Sequence, residues 1–216
     1  MQSFLGLIED NSLEKEIIIH PHCSEERPGE YRAVKTQSTV ELEVANYLNA
    51  LTLLYKPVNV LETGTGLGFA ALGIVTALLT NQHLSGPFIF TSIEIGKEIQ
   101  DQAKLYLNTF LPYINLLNND SVEILQHYSG PQFDFVLLDT VLDVRHKELR
   151  LLLERDLVTK GCIITLHDTS PHRHKTMPPN QDNRPMLKEV DKLCKEFNIS
   201  ERLEFPFSRG LLTLRC

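Results

Sequence analysis

No stretch of this 216-residue sequence stays apolar for the roughly 20 residues that a membrane-spanning helix needs, and no charged-then-apolar leader is visible at its start. The expectation is a soluble, cytoplasmic protein with no membrane partner. Basic residues are in deficit, 21 Lys and Arg against 28 Asp and Glu, giving a net charge of -7 and a pI near 5.6. Such a balance lacks the clustered cations that grip a phosphate backbone, which argues against nucleic acid as a partner. Cysteine is sparse: Cys23, Cys162, Cys194 and Cys216 are scattered without C-x-x-C spacing, against both a disulfide framework and a zinc knuckle. Internal repeats and low-complexity tracts are also absent. Small molecules or modest peptides are the substrates left standing.

With 42% hydrophobic residues the chain can bury one sizeable core, so residues 1–216 read as a single domain. Residues 1–35, broken by Pro21, Pro28 and Gly29, read as an N-terminal arm or lid, and residues 36–216 as the core. Ser38-Thr39-Val40-Glu41 has capping-box spacing and predicts a helix with the stripe Val44, Leu48, Leu51, Tyr55 that Pro57 ends. Apolar runs then alternate with helical periods. Strands are expected at Val58–Leu61, Phe88–Ile93, Tyr113–Leu117, Phe133–Leu138 and Cys162–Leu166, and helices at Phe69–Leu79, around Ile99–Phe110, at Ser121–His127 and at Val144–Glu154. Fully apolar strands alternating with helices make a doubly wound, mostly parallel sheet with helices on both faces. After a polar, proline-rich loop and a helix begun by Pro185, two runs at Ile199–Phe207 and Gly210–Arg215 are too close for a parallel crossover, so they predict an antiparallel C-terminal hairpin. Seven strands result.

The segment Val58–Gly68, V-N-V-L-E-T-G-T-G-L-G, joins a strand to three glycines spaced two apart. Gly64, Gly66 and Gly68 permit a tight turn and close approach of backbone to a ligand, with a helix N-terminus behind them. Glu62 adds a fixed negative charge that would repel a pyrophosphate but suits a cationic ligand. Gly66, Gly68 and Ala71 also satisfy G-x-G-x-x-A with Glu94 downstream, which keeps an NAD(P)-dependent oxidoreductase open, and a non-catalytic binding module is a third reading. In a doubly wound sheet ligands sit beyond the carboxyl ends of the strands, where Glu62, Glu94, Asp120, Asp139 and Asp168 all fall.

The glycine segment resembles motif I of the class I S-adenosylmethionine-dependent methyltransferases, and the resemblance runs to the C-terminus. It implies a Rossmann-like methyltransferase fold and S-adenosyl-L-methionine as cofactor. By this resemblance Glu62, Thr63, Gly64, Thr65, Gly66 and Gly68 would face the methionine portion and Glu94 the ribose hydroxyls. Ile95 would pack on adenine, whose edge Asp120 and Ser121 would meet. F-D-F-V-L-L-D-T at Phe133–Thr140 and G-C-I-I-T-L-H-D-T-S-P at Gly161–Pro171 resemble the strands around the reaction site of catechol-type O-methyltransferases, implying transfer to an oxygen, hydroxyl or carboxylate. Asp139 and Asp168 match two acids that hold Mg²⁺ in that group, with Asp139 also beside the cofactor. Thr169 replaces the expected Asn, and losing that hard donor disfavours Mg²⁺.

His167, His172 and His174 share a loop with Asp168, but adjacent and alternate ligands lack the spacing of a strong transition-metal site, and no metal is assigned. A hydroxyl acceptor gains from a base of near-neutral pKa, for which His167 is the first candidate, ahead of Lys35 and His172. A carboxylate acceptor needs no base. The arm Glu25–Thr39 and the loop Pro171–Arg184 are the expected acceptor-recognition segments, and an arm crossing to a neighbour would favour a homodimer.

Overall fold

The computed structural model describes the backbone of residues 17–19 and 32–34 and all atoms of residues 40–170, 182–207 and 209–216. Lys35, His172, His174, Ser38, Thr39 and most of both acceptor-recognition segments lie outside them. In the arm, β1 (Ile17–Ile19) and β2 (Arg32–Val34) pair antiparallel, an element that the prolines and glycine of this stretch do not announce. The core alternates α1 (Leu42–Tyr55), β3 (Asn59–Thr63), α2 (Phe69–Ser85), β4 (Ile89–Ile93), α3 (Lys97–Tyr106), β5 (Asn115–Leu117), α4 (Ser121–His127), β6 (Phe133–Leu138), α5 (Leu142–Glu154) and β7 (Val158–His167). A further helix, α6 (Arg184–Glu196), precedes the hairpin of β8 (Glu201–Phe205) and β9 (Leu211–Arg215). The seven core strands form one sheet in the order β5-β4-β3-β6-β7-β9-β8, in which β9 alone runs antiparallel to its neighbours. The predicted sheet and its antiparallel ending are therefore present.

Each face of the sheet is apolar for its own helices. Val60, Phe90, Phe135 and Ile163 pack with Val44 and Leu48 of α1 and Ile74 and Leu78 of α2. Leu61, Val136, Ile164 and Leu166 meet Leu149 and Leu152 of α5 and Met186, Val190 and Leu193 of α6 on the other side. Burying each such side chain stabilises the fold by about 1.5–3 kcal/mol before entropy is counted. Cys162 and Cys194 are buried in this second layer, as their apolar surroundings imply. The Tyr47 ring of α1 packs tilted against Phe205, with centroids 4.3 Å apart, which ties the C-terminal hairpin to the first core helix. No helix of the described residues is long and apolar enough to cross a membrane.

Several boundaries differ from the sequence reading for local reasons. Leu42 opens α1, and Glu41 is its N-cap residue with extended backbone, so Glu41 does not close a capping box inside the helix. Polar residues carry α2 six positions past Leu79, because Asn81 donates to the carbonyl of Thr52 at 2.9 Å and Gly86 supplies the left-handed stop. Glu62 and Thr63 lie within β3, beyond the predicted end at Leu61, and Val158 starts β7 four residues before Cys162.

Candidate active site

Register brings the acids together. Thr63 of β3 is level with Ile93 of β4 and Leu138 of β6, and Leu138 is level with Leu166 of β7. The residues that follow these four strands therefore share the carboxyl edge of the sheet. Gly64 has φ 79°, and its Cα lies so close to the Asp139 carbonyl that any Cβ would overlap it. Glycine is required there by both backbone and space.

On one side of this edge the glycine turn meets the end of β4. The Glu94 carboxylate accepts from the N–H of Gly66 at 3.0 Å and from that of Gly96 at 2.8 Å. Ile95 next to it is 70% exposed, an apolar side chain left bare at the mouth. Asn118 fixes this corner by donating to the carbonyls of Glu94 and Ile95 at 2.8 and 3.1 Å. Glu62 is fully buried behind the loop. One of its oxygens accepts from the Ser92 hydroxyl, which also bonds Thr65 at 2.6 Å, while Oε1 has no partner among the described residues. Burial pushes Glu62 up to about 8, against the Ser92 hydrogen bond, and the charges of Asp139 and Glu94 add to the rise. Two residues read as adenine contacts are otherwise engaged. Asp120 is the N-cap of α4, accepting from Val122 N at 2.7 Å and Glu123 N at 3.3 Å, and buried Ser121 donates its hydroxyl to Glu148. Small polar residues at a helix start serve the helix first.

On the other side, three acids and three bases close a ring. Glu41 Oε2 lies 2.6 Å from His167 Nε2, and His167 Nδ1 lies 3.0 Å from Asp139 Oδ1. Arg145 Nη2 donates to Asp139 Oδ1 at 2.8 Å and to Asp168 Oδ2 at 2.9 Å. Arg209 Nε donates to Asp168 Oδ1 at 2.7 Å, and its backbone N–H donates to Glu41 Oε1 at 2.9 Å. Asp168 holds a left-handed backbone, φ 62°, a conformation its short polar side chain tolerates. The buried Asn183 side chain pins that turn by donating to the carbonyls of Asp168 and Ser170, each at 2.8 Å.

This geometry corrects the expected role of His167. Burial alone would depress its pKa, but Asp139, Asp168 and Glu41 outweigh it and raise His167 to about 9. Burial would raise Glu41, yet His167 and Arg209 bring it down to about 2. His167 is therefore an imidazolium with both nitrogens occupied, and it offers no lone pair to a substrate hydroxyl. The sequence reading missed Glu41, Arg145, Asn183 and Arg209. For the arginines the one signal was indirect: Asp139 and Asp168, placed at a buried edge, need compensating cations, and Arg145 follows Asp139 closely in sequence while Arg209 does not.

A family model described as a methyltransferase domain matches residues 61–169, which spans β3 to the turn after β7. This chain belongs to that methyltransferase family. Its fold is shared with an O-methyltransferase from Bacillus cereus solved in complex with SAH, at a TM-score of 0.66 and 15% identity over 83% of each chain. The O-methyltransferase TomG from Streptomyces achromogenes, solved with SAM, aligns at a TM-score of 0.68 and 15% identity over 95% of this chain and 89% of its own. A putative caffeoyl-CoA O-methyltransferase from Staphylococcus aureus gives 0.67 and 15% over 82% and 85%. No curated protein matches the sequence of this methyltransferase-family chain.

Proposed function

We propose that the protein transfers the methyl group of S-adenosylmethionine to an oxygen of a small-molecule or peptide acceptor. The observation that carries this reading is the Glu94 carboxylate held against Gly66 N–H beside exposed Ile95. An acid at that position suits two ribose hydroxyls, and a bare aliphatic side chain suits an adenine face. The antiparallel β9, which ends the sheet with a hairpin, favours this over a nicotinamide cofactor.

Bound S-adenosylmethionine would supply an electrophilic methyl on a sulfonium, with the neutral thioether as leaving group for an acceptor oxygen. The chain's own residues orient and desolvate. Asp139 places negative charge near a cationic ligand and uses only Oδ1 in the ring, which leaves Oδ2 for that ligand, while Glu62 is a neutral carboxyl that a bound cation would have to ionise. With His167 committed as an imidazolium, the acceptor best served is one that arrives ionised, and a carboxylate does so at neutral pH. Transfer then yields a neutral ester and a neutral thioether without a base.

Calorimetry with SAH and NADH tests the cofactor, with SAH binding and no NADH binding expected. The opposite result would sink the reading. Mass spectrometry of carboxylate and phenol panels incubated with methyl-labelled cofactor tests the acceptor, with label expected on carboxylates.

A further inference from the structure

Asp139, His167 and Asp168 each offer one ligand atom, all within 4.8 Å of one another, which is the donor set of a divalent metal site. What stands among those donors is a side chain. Arg145, in the first turn of α5, is 3% exposed and bonds both acids through one nitrogen, Nη2, at 2.8 and 2.9 Å. Its Nη1 donates to the carbonyl of His167, and its Nε donates to that of Thr140 at 2.7 Å. One guanidinium thus joins the ends of β6 and β7 with four hydrogen bonds. A second, Arg209, covers the remaining face of Asp168, with bonds of 2.7 and 3.2 Å to its two oxygens.

We propose that Arg145, supported by Arg209, is a built-in cation that positions Asp139 and Asp168 and closes this donor set to divalent metal. A guanidinium is a permanent cation, unlike an imidazole. A metal ion would have to enter beside two fixed positive charges and take oxygens that both already hold. Thr169, the next residue, is buried and brings a hydroxyl where a carbonyl donor would strengthen a hard-ion site. The planar fork also explains arginine over lysine, because one ammonium cannot reach two carboxylates and two carbonyls lying in these directions.

The inference takes its functional place from the proposed methyl transfer, so the experiment reads metal and cofactor separately. The full chain is titrated with Mn²⁺ at neutral pH while electron paramagnetic resonance follows the free ion. Wild type is expected to leave the signal unchanged. Arg145→Met, which keeps much of the apolar stem and removes the charge, is expected to gain one Mn²⁺ per chain, and adding Asp168→Asn should abolish that gain. Mn²⁺ bound by wild type and lost in Asp139→Asn would overturn the proposal. So would a folded Arg145→Met, verified by a cooperative melt, that binds none. If that variant does not fold, the wild-type titration decides alone. SAH calorimetry on the same samples separates the two ideas: wild type that binds Mn²⁺ and SAH overturns the built-in cation only, and wild type that binds neither overturns the cofactor reading only.

Discussion

Arg145 and Glu41 carry unequal risk although both are buried in one ring. Removing Arg145 leaves Asp139 and Asp168 facing each other with a cation gone, and breaking a buried pair this way costs about 3–5 kcal/mol. Arg145→Met should therefore lower the urea midpoint strongly, and a change under about 1 kcal/mol would show that the ring is not under load. Glu41→Gln keeps a hydrogen-bonding oxygen for the Arg209 N–H but removes the charge beside His167. It should cost less than Arg145→Met and lower the His167 pKa, which a histidine-resolved NMR titration would register. At this scale the sequence was half legible. Acids at strand ends follow from strand patterning, so Asp139 and Asp168 could be named. Their partners come from a helix's first turn, a hairpin link and a helix cap, and no local period marks a residue that answers a charge far away in sequence.

Between β3 and α2 the turn is legible because glycine is the only residue that fits. Gly64→Ala would drive a methyl into the Asp139 carbonyl at a left-handed φ, so it should both destabilise the protein and abolish SAH binding. Glu94→Ala tests the neighbouring element more gently. Its Gly66 and Gly96 N–H groups can turn to water, so the fold should hold while SAH affinity falls by about 1–3 kcal/mol, the cost of leaving ribose hydroxyls unmatched. Calorimetry that returns wild-type affinity for Glu94→Ala would remove this acid from the cofactor site. Strands and helices of the core were readable from alternating apolar runs, since the central strands β3 and β6 are buried on both faces, whereas at the sheet edges β5 is half-buried and β8 largely exposed. Ends were less so: α2 runs on through polar Thr80–His83 because Asn81 finds a backbone partner on α1, a tertiary contact with no local signature. At the Asp120-Ser121 pair a helix start uses residues that also looked like a ligand edge, a second role that the sequence alone did not separate from the first.

Taken as a whole, the molecule should lose stability as pH rises through neutrality, and two groups set the window. His167 is raised from 6.5 to about 9, so the native state keeps a proton that the unfolded chain loses between those values. Its contribution is complete below 6.5 and gone above 9. Glu62 is raised from 4.5 to about 8, so it too holds a proton in the native state across that range, and ionising it buried works against the fold. Glu41, lowered from 4.5 to about 2, acts oppositely, contributing in full above 4.5 and failing only in acid. Between pH 6.5 and 8 the first two slopes coincide. Each full proton is worth about 1.4 kcal/mol per pH unit, so the pair bounds the fall at about 2.7 kcal/mol per unit. Urea unfolding at several pH values should show this decline, and Glu62→Gln should remove about half of it. A flat or rising profile from 6.5 to 8 would refute the protonated states assigned to both residues. The same linkage reaches function. If the ligand's ammonium group lies against Glu62, binding must ionise that carboxyl, so SAH binding below pH 8 should release a proton and affinity should climb as pH rises from 6 to 8. Calorimetry in buffers of different ionisation enthalpy counts that proton directly, and wild type and Glu62→Gln releasing the same number would mean that Glu62 does not face the ligand.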